Sequence, residues 1–244
     1  MPSEIVNLAD LTCRIVRPDE PMRPEAVVVL CHGFGAPGAD LVPLAGEFLR
    51  CAPHLKNRVQ FVFPEGPRTI PEVPGGRAWW PIDMLEMQMS ILEGRFREMR
   101  QSVPPLLPDA RNRLTRLLEQ LQQDTGLPMS QFVIGGFSQG SMLATDVALR
   151  LPTAPGALVV YSGTLLAESE WVELAPRRAG LPVLQTHGTQ DPILPFEAAL
   201  WLRDLLMNAG LDVEFQSFSG THTISGEGVR RAAELIAGLL PAPS

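Results

Sequence analysis

An α/β fold, a mostly parallel sheet covered by helices on both faces, is predicted by two features of the 244-residue chain. Short β-branched runs bounded by Gly and Pro alternate with longer segments of helical period. Several of those runs are apolar without interruption, as strands buried on both faces must be.

In chain order, Leu11 to Val16 and the all-apolar Ala26 to Cys31 read as strands, and Leu41 to Leu49 as a helix. Val59 to Phe63 is the next strand. Two stretches then break the rhythm: the Pro/Gly-rich loop Pro64 to Pro81, and a Met-rich segment from Met84 to Met99 followed by Pro104, Pro105 and Pro108. Both are candidates for a lid or pocket wall, together spanning 64–108. The clearest helix covers Asp109 to Gln123, where Leu114, Leu117, Leu118 and Leu121 fall at i, i+3, i+4 and i+7 between Pro108 and Gly126. Beyond it, strands are expected at Phe132 to Gly135, Ala157 to Tyr161, Val183 to Thr186 and Val213 to Phe218. Helices are expected over Gly140 to Leu151, Phe196 to Asn208 and Glu227 to Leu239. Glu168, Glu170 and Glu173 are expected in a loop. No internal repeat or linker interrupts the pattern, so residues 1–244 read as a single domain.

Composition narrows the function. With 20 Lys+Arg against 27 Asp+Glu the formal charge is −7, and Lys56 is the only lysine, which argues against a nucleic-acid partner. Three cysteines, Cys13, Cys31 and Cys51, do not make a disulfide framework. A reducing compartment, the cytoplasm, is the expected location. Glu4 and Asp10 stand where an export signal would be cationic and then apolar, and no run approaches the roughly 20 apolar residues of a membrane-spanning helix. No metal-ligand cluster or lysine-bearing phosphate loop is visible, so no metal and no cofactor is implied.

The chemistry is concentrated in Gly136-Phe137-Ser138-Gln139-Gly140, set between a strand and a helix. A serine on such a sharp turn is held in a strained conformation with its hydroxyl outward, while the glycines let neighbouring backbone approach. The hydroxyl needs a base, and the base an orienting carboxylate. Where the nucleophile stands on this kind of elbow, the acid follows it and the base comes last. His222, after the strand Val213 to Phe218, is therefore the candidate base, and His187, which precedes the best acid, is the weaker choice. Asp191, just past the strand Val183 to Thr186, is the candidate acid; an Asp-Pro turn is its purely local alternative. Asp146 and Asp204 lie inside helices and compete poorly.

An oxyanion formed at Ser138 needs donors, and loss of one typically costs about 3 kcal/mol of barrier. The N–H of Gln139 follows the nucleophile, and that of Phe34 lies in Cys31-His32-Gly33-Phe34-Gly35, whose glycines let the chain fold back. His32 itself reads as a structural residue.

These residues resemble the phospholipase/carboxylesterase family of α/β-hydrolases, which includes acyl-protein thioesterases and small bacterial carboxylesterases. The resemblance rests on His32-Gly33-Phe34-Gly35, Gly135-Gly136-Phe137-Ser138-Gln139-Gly140, His187-Gly188 with Asp191-Pro192, and His222. It implies an α/β-hydrolase fold, Ser138, Asp191 and His222 as a catalytic triad, and the N–H groups of Phe34 and Gln139 as an oxyanion hole. Trp80, in Arg77-Ala78-Trp79-Trp80-Pro81, resembles the family's tryptophan loop beside the site, as a pocket wall or as packing under the loop. Ala36 and Ser141 stand where the family often has Asp and Gly.

The expected activity is hydrolysis of carboxylic esters or thioesters of small-molecule or lipid-like substrates through an acyl-serine. A non-catalytic binding protein of the same fold, or a lactone or amide hydrolase, is the alternative. Met84, Met87, Met89 and Met99, with Ile91, Leu92 and Phe96, read first as a packed helix stripe and otherwise as an acyl-chain groove. Arg95, Arg97 and Arg100 read as a solvated face. Whether apolar surface near this segment drives homodimerisation is left open.

Overall fold

The computed structural model describes residues 3–19, 21–95 and 100–241. Its main sheet has eight strands: β1 (Glu4–Leu8), β2 (Leu11–Val16), β3 (Ala26–Cys31), β4 (Val59–Pro64), β7 (Phe132–Phe137), β8 (Ala157–Tyr161), β9 (Pro182–Gly188) and β10 (Asp212–Phe218). The order is β1-β2-β4-β3-β7-β8-β9-β10. β1 and β2 run antiparallel to their neighbours, and every pair from β4 to β10 is parallel. A short hairpin of β5 (Arg68–Thr69) and β6 (Arg77–Ala78) stands apart from it.

Among the described residues seven α-helices flank the sheet: α1 (Pro43–Cys51), α2 (Met84–Leu92), α3 (Leu107–Thr125), α4 (Gln139–Arg150), α5 (Glu168–Leu174), α6 (Phe196–Asn208) and α7 (Gly226–Gly238). β3 shows why central strands read as unbroken apolar runs. All six of its residues are buried, and because side chains alternate, Val27, Val29 and Cys31 join the core under α3, α4 and α6, whereas Ala26, Val28 and Leu30 join the core under α1 and α7. α3 buries the predicted leucine stripe and stops at Gly126, whose φ of 73° is left-handed.

Two expectations need correction. Glu168, Glu170 and Glu173 lie in α5, a single short helix closed over the core by the fully buried Trp171, and not in a loop. β1 was not foreseen. It is a largely exposed edge strand, and its turn to β2 carries positive φ at both Ala9 (47°) and Asp10 (64°). That is the backbone sign of the tight hairpin turns usually made by Asn-Gly or Asp-Gly, here without glycine.

α4 is buried along nearly its whole length, including Asp146. The carboxylate accepts from Trp171 Nε1 (2.9 Å), Arg150 Nε (3.2 Å) and Arg111 Nε, tying α3, α4 and α5 together. Removing one member of a buried ion network leaves the others desolvated and unpaired. Asp146→Ala should lower unfolding stability by about 3–5 kcal/mol, read from urea midpoints; a loss below about 1 kcal/mol would contradict this role.

Among the described residues no helix is long and apolar enough to cross a membrane, and no group of three His, Cys, Asp or Glu could hold a metal ion. All three cysteines are free.

Candidate active site

The parallel strands all end on one edge of the sheet, where ligand sites of open α/β sheets gather. Ser138 follows β7 and is the N-cap of α4, with φ 53° and ψ −121°. A non-glycine residue at such an angle stores about 1–3 kcal/mol of strain. The conformation is over-determined: Ser138 N–H donates to Tyr161 O at 2.9 Å, and Ser138 O accepts from Ser141 Oγ at 2.7 Å and Ser141 N–H at 3.0 Å. Two glycines permit it. A Cβ on Gly136 or Gly140 would lie 2.3 or 2.1 Å from Cys31 O, so β7, α4 and β3 close together only without one.

Ser141, where the family often has glycine, is accommodated in turn by Gly163, whose Cβ would meet Ser141 Oγ at 2.2 Å. The hydroxyl adds a bond behind the elbow.

Past β3, the segment Gly33 to Ala36 folds back over the serine. A Cβ on Gly33 would sit 3.3 Å from Ser138 Cβ. Gly35 N–H donates to Arg77 O, Ala36 N–H to Gly33 O, and Arg77 N–H to Ala36 O, which fixes the backbone on both sides of Phe34. Gln139 is the first residue of α4, so its N–H is among those with no acceptor inside the helix.

His32 is a support beneath this loop. Its Nε2 accepts from Gly66 N–H at 2.9 Å, which leaves Nδ1 to donate to Gly33 O at 2.7 Å. Burial lowers its pKa, consistent with a neutral ring. Trp79 Nε1 donates to His32 O at 2.9 Å.

Beyond β9, Asp191 sits in a loop that packs against the loop after β10. Thr189 N–H donates to Phe218 O and Gln190 N–H to Gly220 O, and Gly188 allows the approach because a Cβ there would lie 2.3 Å from Thr221 O. His222 Nδ1 is 2.6 Å from Asp191 Oδ2, while Asp191 Oδ1 accepts the N–H groups of Ile193 and Leu194 at 2.9 Å each. The imidazole lies 4.7 Å, centroid to centroid, from the ring of Phe137, the residue before Ser138. From the other side, Ser162 Oγ donates to Thr223 O at 3.0 Å and so fixes the chain next to His222.

Burial alone would raise the pKa of Asp191. The hydrogen bonds from His187, His222 and Leu194 N–H and the charge of His222 outweigh that and hold its carboxyl well below the usual range. A depressed carboxylate contributes stability that is present above its unfolded pKa and lost as pH falls toward the folded value. The stability advantage of the native protein over Asp191→Asn should therefore shrink as pH drops below about 4. Urea midpoints of the two proteins at neutral and acidic pH check this; a constant gap contradicts it.

Two roles were not legible beforehand. His187, set aside as a base, is fully buried with Nε2 2.9 Å from Leu194 O and 3.3 Å from Asp191 Oδ2, and so braces the acid loop. Its place in His187-Gly188 just before Asp191 was the available signal. The Gln139 side chain clamps the tryptophan loop: its Oε1 accepts Trp79 N–H at 2.9 Å, and its Nε2 donates to Trp80 O at 2.8 Å.

Trp79 is the tryptophan packed under the loop, whereas Trp80, also buried, lines a cavity of about 480 Å³. That cavity adjoins the serine through Met142, whose N–H donates to Ser138 O, and the acid through Leu194. The Met-rich segment divides. Met87 is buried and lines the cavity, Met84 and Ile91 pack against the core, and Met89 and Leu92 are exposed, so a single packed stripe is not what forms. Phe96, Arg97 and Met99 lie outside the described residues. Arg100 is not part of a solvated face: its side chain is 18% exposed and paired with Glu168.

The chain is similar to several known proteins. The phospholipase/carboxylesterase family pattern matches residues 12–240. Acyl-protein thioesterase 1 of Eremothecium gossypii is 34% identical over 177 residues, covering 70% of this chain and 68% of that protein. A probable carboxylesterase of Oryza sativa is 28% identical over 210 residues, covering 84% and 74%. The crystal structure of esterase PE8 superposes with a TM-score of 0.76 at 28% identity, covering 96% of this chain and all of that one.

Proposed function

The chain belongs to the phospholipase/carboxylesterase family of α/β-hydrolases and is a serine hydrolase of carboxylic ester or thioester bonds, and from that premise we propose that Ser138, His222 and Asp191 form its catalytic triad. The observation that carries the assignment is the 2.6 Å contact of His222 Nδ1 with Asp191 Oδ2 on the sheet edge where the strained Ser138 stands. The carboxylate holds Nδ1 as the donor, so Nε2 is free to take the serine proton as Ser138 Oγ attacks the acyl carbon. The tetrahedral oxyanion is received by the N–H groups of Phe34 and Gln139, the latter reinforced by the positive end of α4. Collapse expels the alcohol or thiol, protonated by His222, and leaves the acyl-serine. Water, deprotonated by the same imidazole, then releases the acid.

The substrate reading is a small-molecule or lipid-like ester whose acyl chain enters the cavity beside Trp80. Adaptable Met87 and Met142 side chains in its lining suit an apolar chain, and its size is within the range of small-molecule sites. Within 64–108, the residues from Trp80 to Ser90 and from Ser102 to Pro105 that line the cavity then serve as its wall. The related thioesterase and carboxylesterases do not favour a non-catalytic binding role.

Hydrolysis of p-nitrophenyl esters from acetate to palmitate, with matched acyl thioesters, tests this. Saturable turnover that improves as the acyl chain fills the cavity is expected, at about fourfold in kcat/KM per methylene accommodated. Turnover indifferent to chain length would overturn the acyl assignment of the cavity.

A further inference from the structure

A second space lies behind the cavity lined by Trp80. Between α5 and α6 a groove of about 490 Å³ opens, its lining apolar at Val172, Trp201 and Leu205 and polar at Glu168, Asp204 and Asn208. Two side chains, Arg100 and Leu165, line both the cavity and the groove. Arg100 stands between them and is held from several directions. Its Nε lies 2.8 Å from Glu168 Oε2, and its guanidinium carbon lies 5.1 Å from the centroid of the Trp201 ring. The backbone beneath is pinned as well: Arg100 O accepts Glu168 N–H at 3.0 Å, and Ser102 O accepts Ala167 N–H at 3.2 Å.

We propose that the Arg100–Glu168 ion pair, stacked on Trp201, is the partition that limits the length of acyl chain the enzyme accepts. This rests on the reading that the cavity holds the acyl chain. An apolar chain that fills the cavity meets the Arg100 guanidinium, whose carboxylate partner Glu168 lines the groove beyond, and passage would separate and desolvate both. Arg100 stands, with Leu165, where two spaces of similar size adjoin, and beyond it lie the apolar side chains of Val172, Trp201 and Leu205. The guanidinium suits the position because it can neutralise a nearby carboxylate and cover an aromatic face at once.

The test is kcat/KM across p-nitrophenyl acetate to palmitate for the native enzyme, Arg100→Ala and Glu168→Gln. In Arg100→Ala the long-to-short ratio of kcat/KM should rise about tenfold or more, given about fourfold for each methylene that reaches the groove. Glu168→Gln, which keeps the size of the side chain, should give an intermediate rise and serves if Arg100→Ala does not fold. Val172→Asp, an exposed substitution in the groove, should remove the gain in the Arg100→Ala background. An unchanged ratio, or an equal loss at all lengths, overturns the proposal. Binding of hexanoate and palmitate, measured by calorimetry, reads the same selectivity without turnover. Failure of the triad assignment would appear separately, as full activity in Ser138→Ala, and leaves the ratio to be judged by itself.

Discussion

Ser138→Ala should lower kcat by on the order of 10⁴- to 10⁶-fold while the protein stays folded. The size of the effect follows from what the residue does in the proposed scheme. Without Oγ there is no acyl-serine, and the imidazole and oxyanion donors can only assist a direct attack by water, for which they are not aligned. Stability should change little or even rise, because an alanine still occupies the left-handed position but the hydroxyl is no longer held at a buried strained site. Circular dichroism and thermal unfolding alongside single-turnover kinetics separate the two effects. More than about a tenth of native turnover in a folded Ser138→Ala protein is incompatible with the scheme.

The next largest loss is expected for Asp191→Asn, about 10⁴-fold in kcat with a small change in KM. The carboxylate accepts at both oxygens, from Ile193 and Leu194 N–H on one and from His222 on the other. An amide can satisfy the two backbone donors through its oxygen, and then presents its NH₂ to His222 Nδ1. That contact favours the tautomer with the proton on Nε2, which cannot accept the proton of Ser138. A loss under tenfold would show that Asp191 does not set the tautomer.

What could be read beforehand divides along physical lines. Strands such as β3 were legible because burial on both faces leaves no polar position, and α3 because its leucine spacing and Gly126 stop mark one stripe and one end. β1 was not, since an exposed edge strand needs no apolar pattern and its turn uses Ala9 and Asp10 in place of glycine. α5 was missed because seven residues rich in glutamate carry too little periodicity, and it is Trp171 burial that holds it down.

At the site, Ser138, Asp191 and His222 were nameable because each follows a strand end, which local sequence reveals. The contacts between the Gln139 amide and the backbone of Trp79 and Trp80, or between Arg100 and Glu168, join residues 59 to 68 apart in the chain. Such pairings exist only once the sheet has formed, and a side chain's type does not announce its partner. His187 is intermediate: its proximity to Asp191 in sequence was visible, but its burial against Leu194 O was not.

Intact-mass spectrometry after treatment with a fluorophosphonate tests the proposed nucleophile most directly, because the probe is itself an electrophile that must use the serine, the base and the oxyanion donors together. One adduct per chain is expected, mapped by peptide sequencing to Ser138, absent in Ser138→Ala and greatly slowed in Asp191→Asn. No adduct at catalytic concentrations of probe, or an adduct on any other residue, would contradict the assignment.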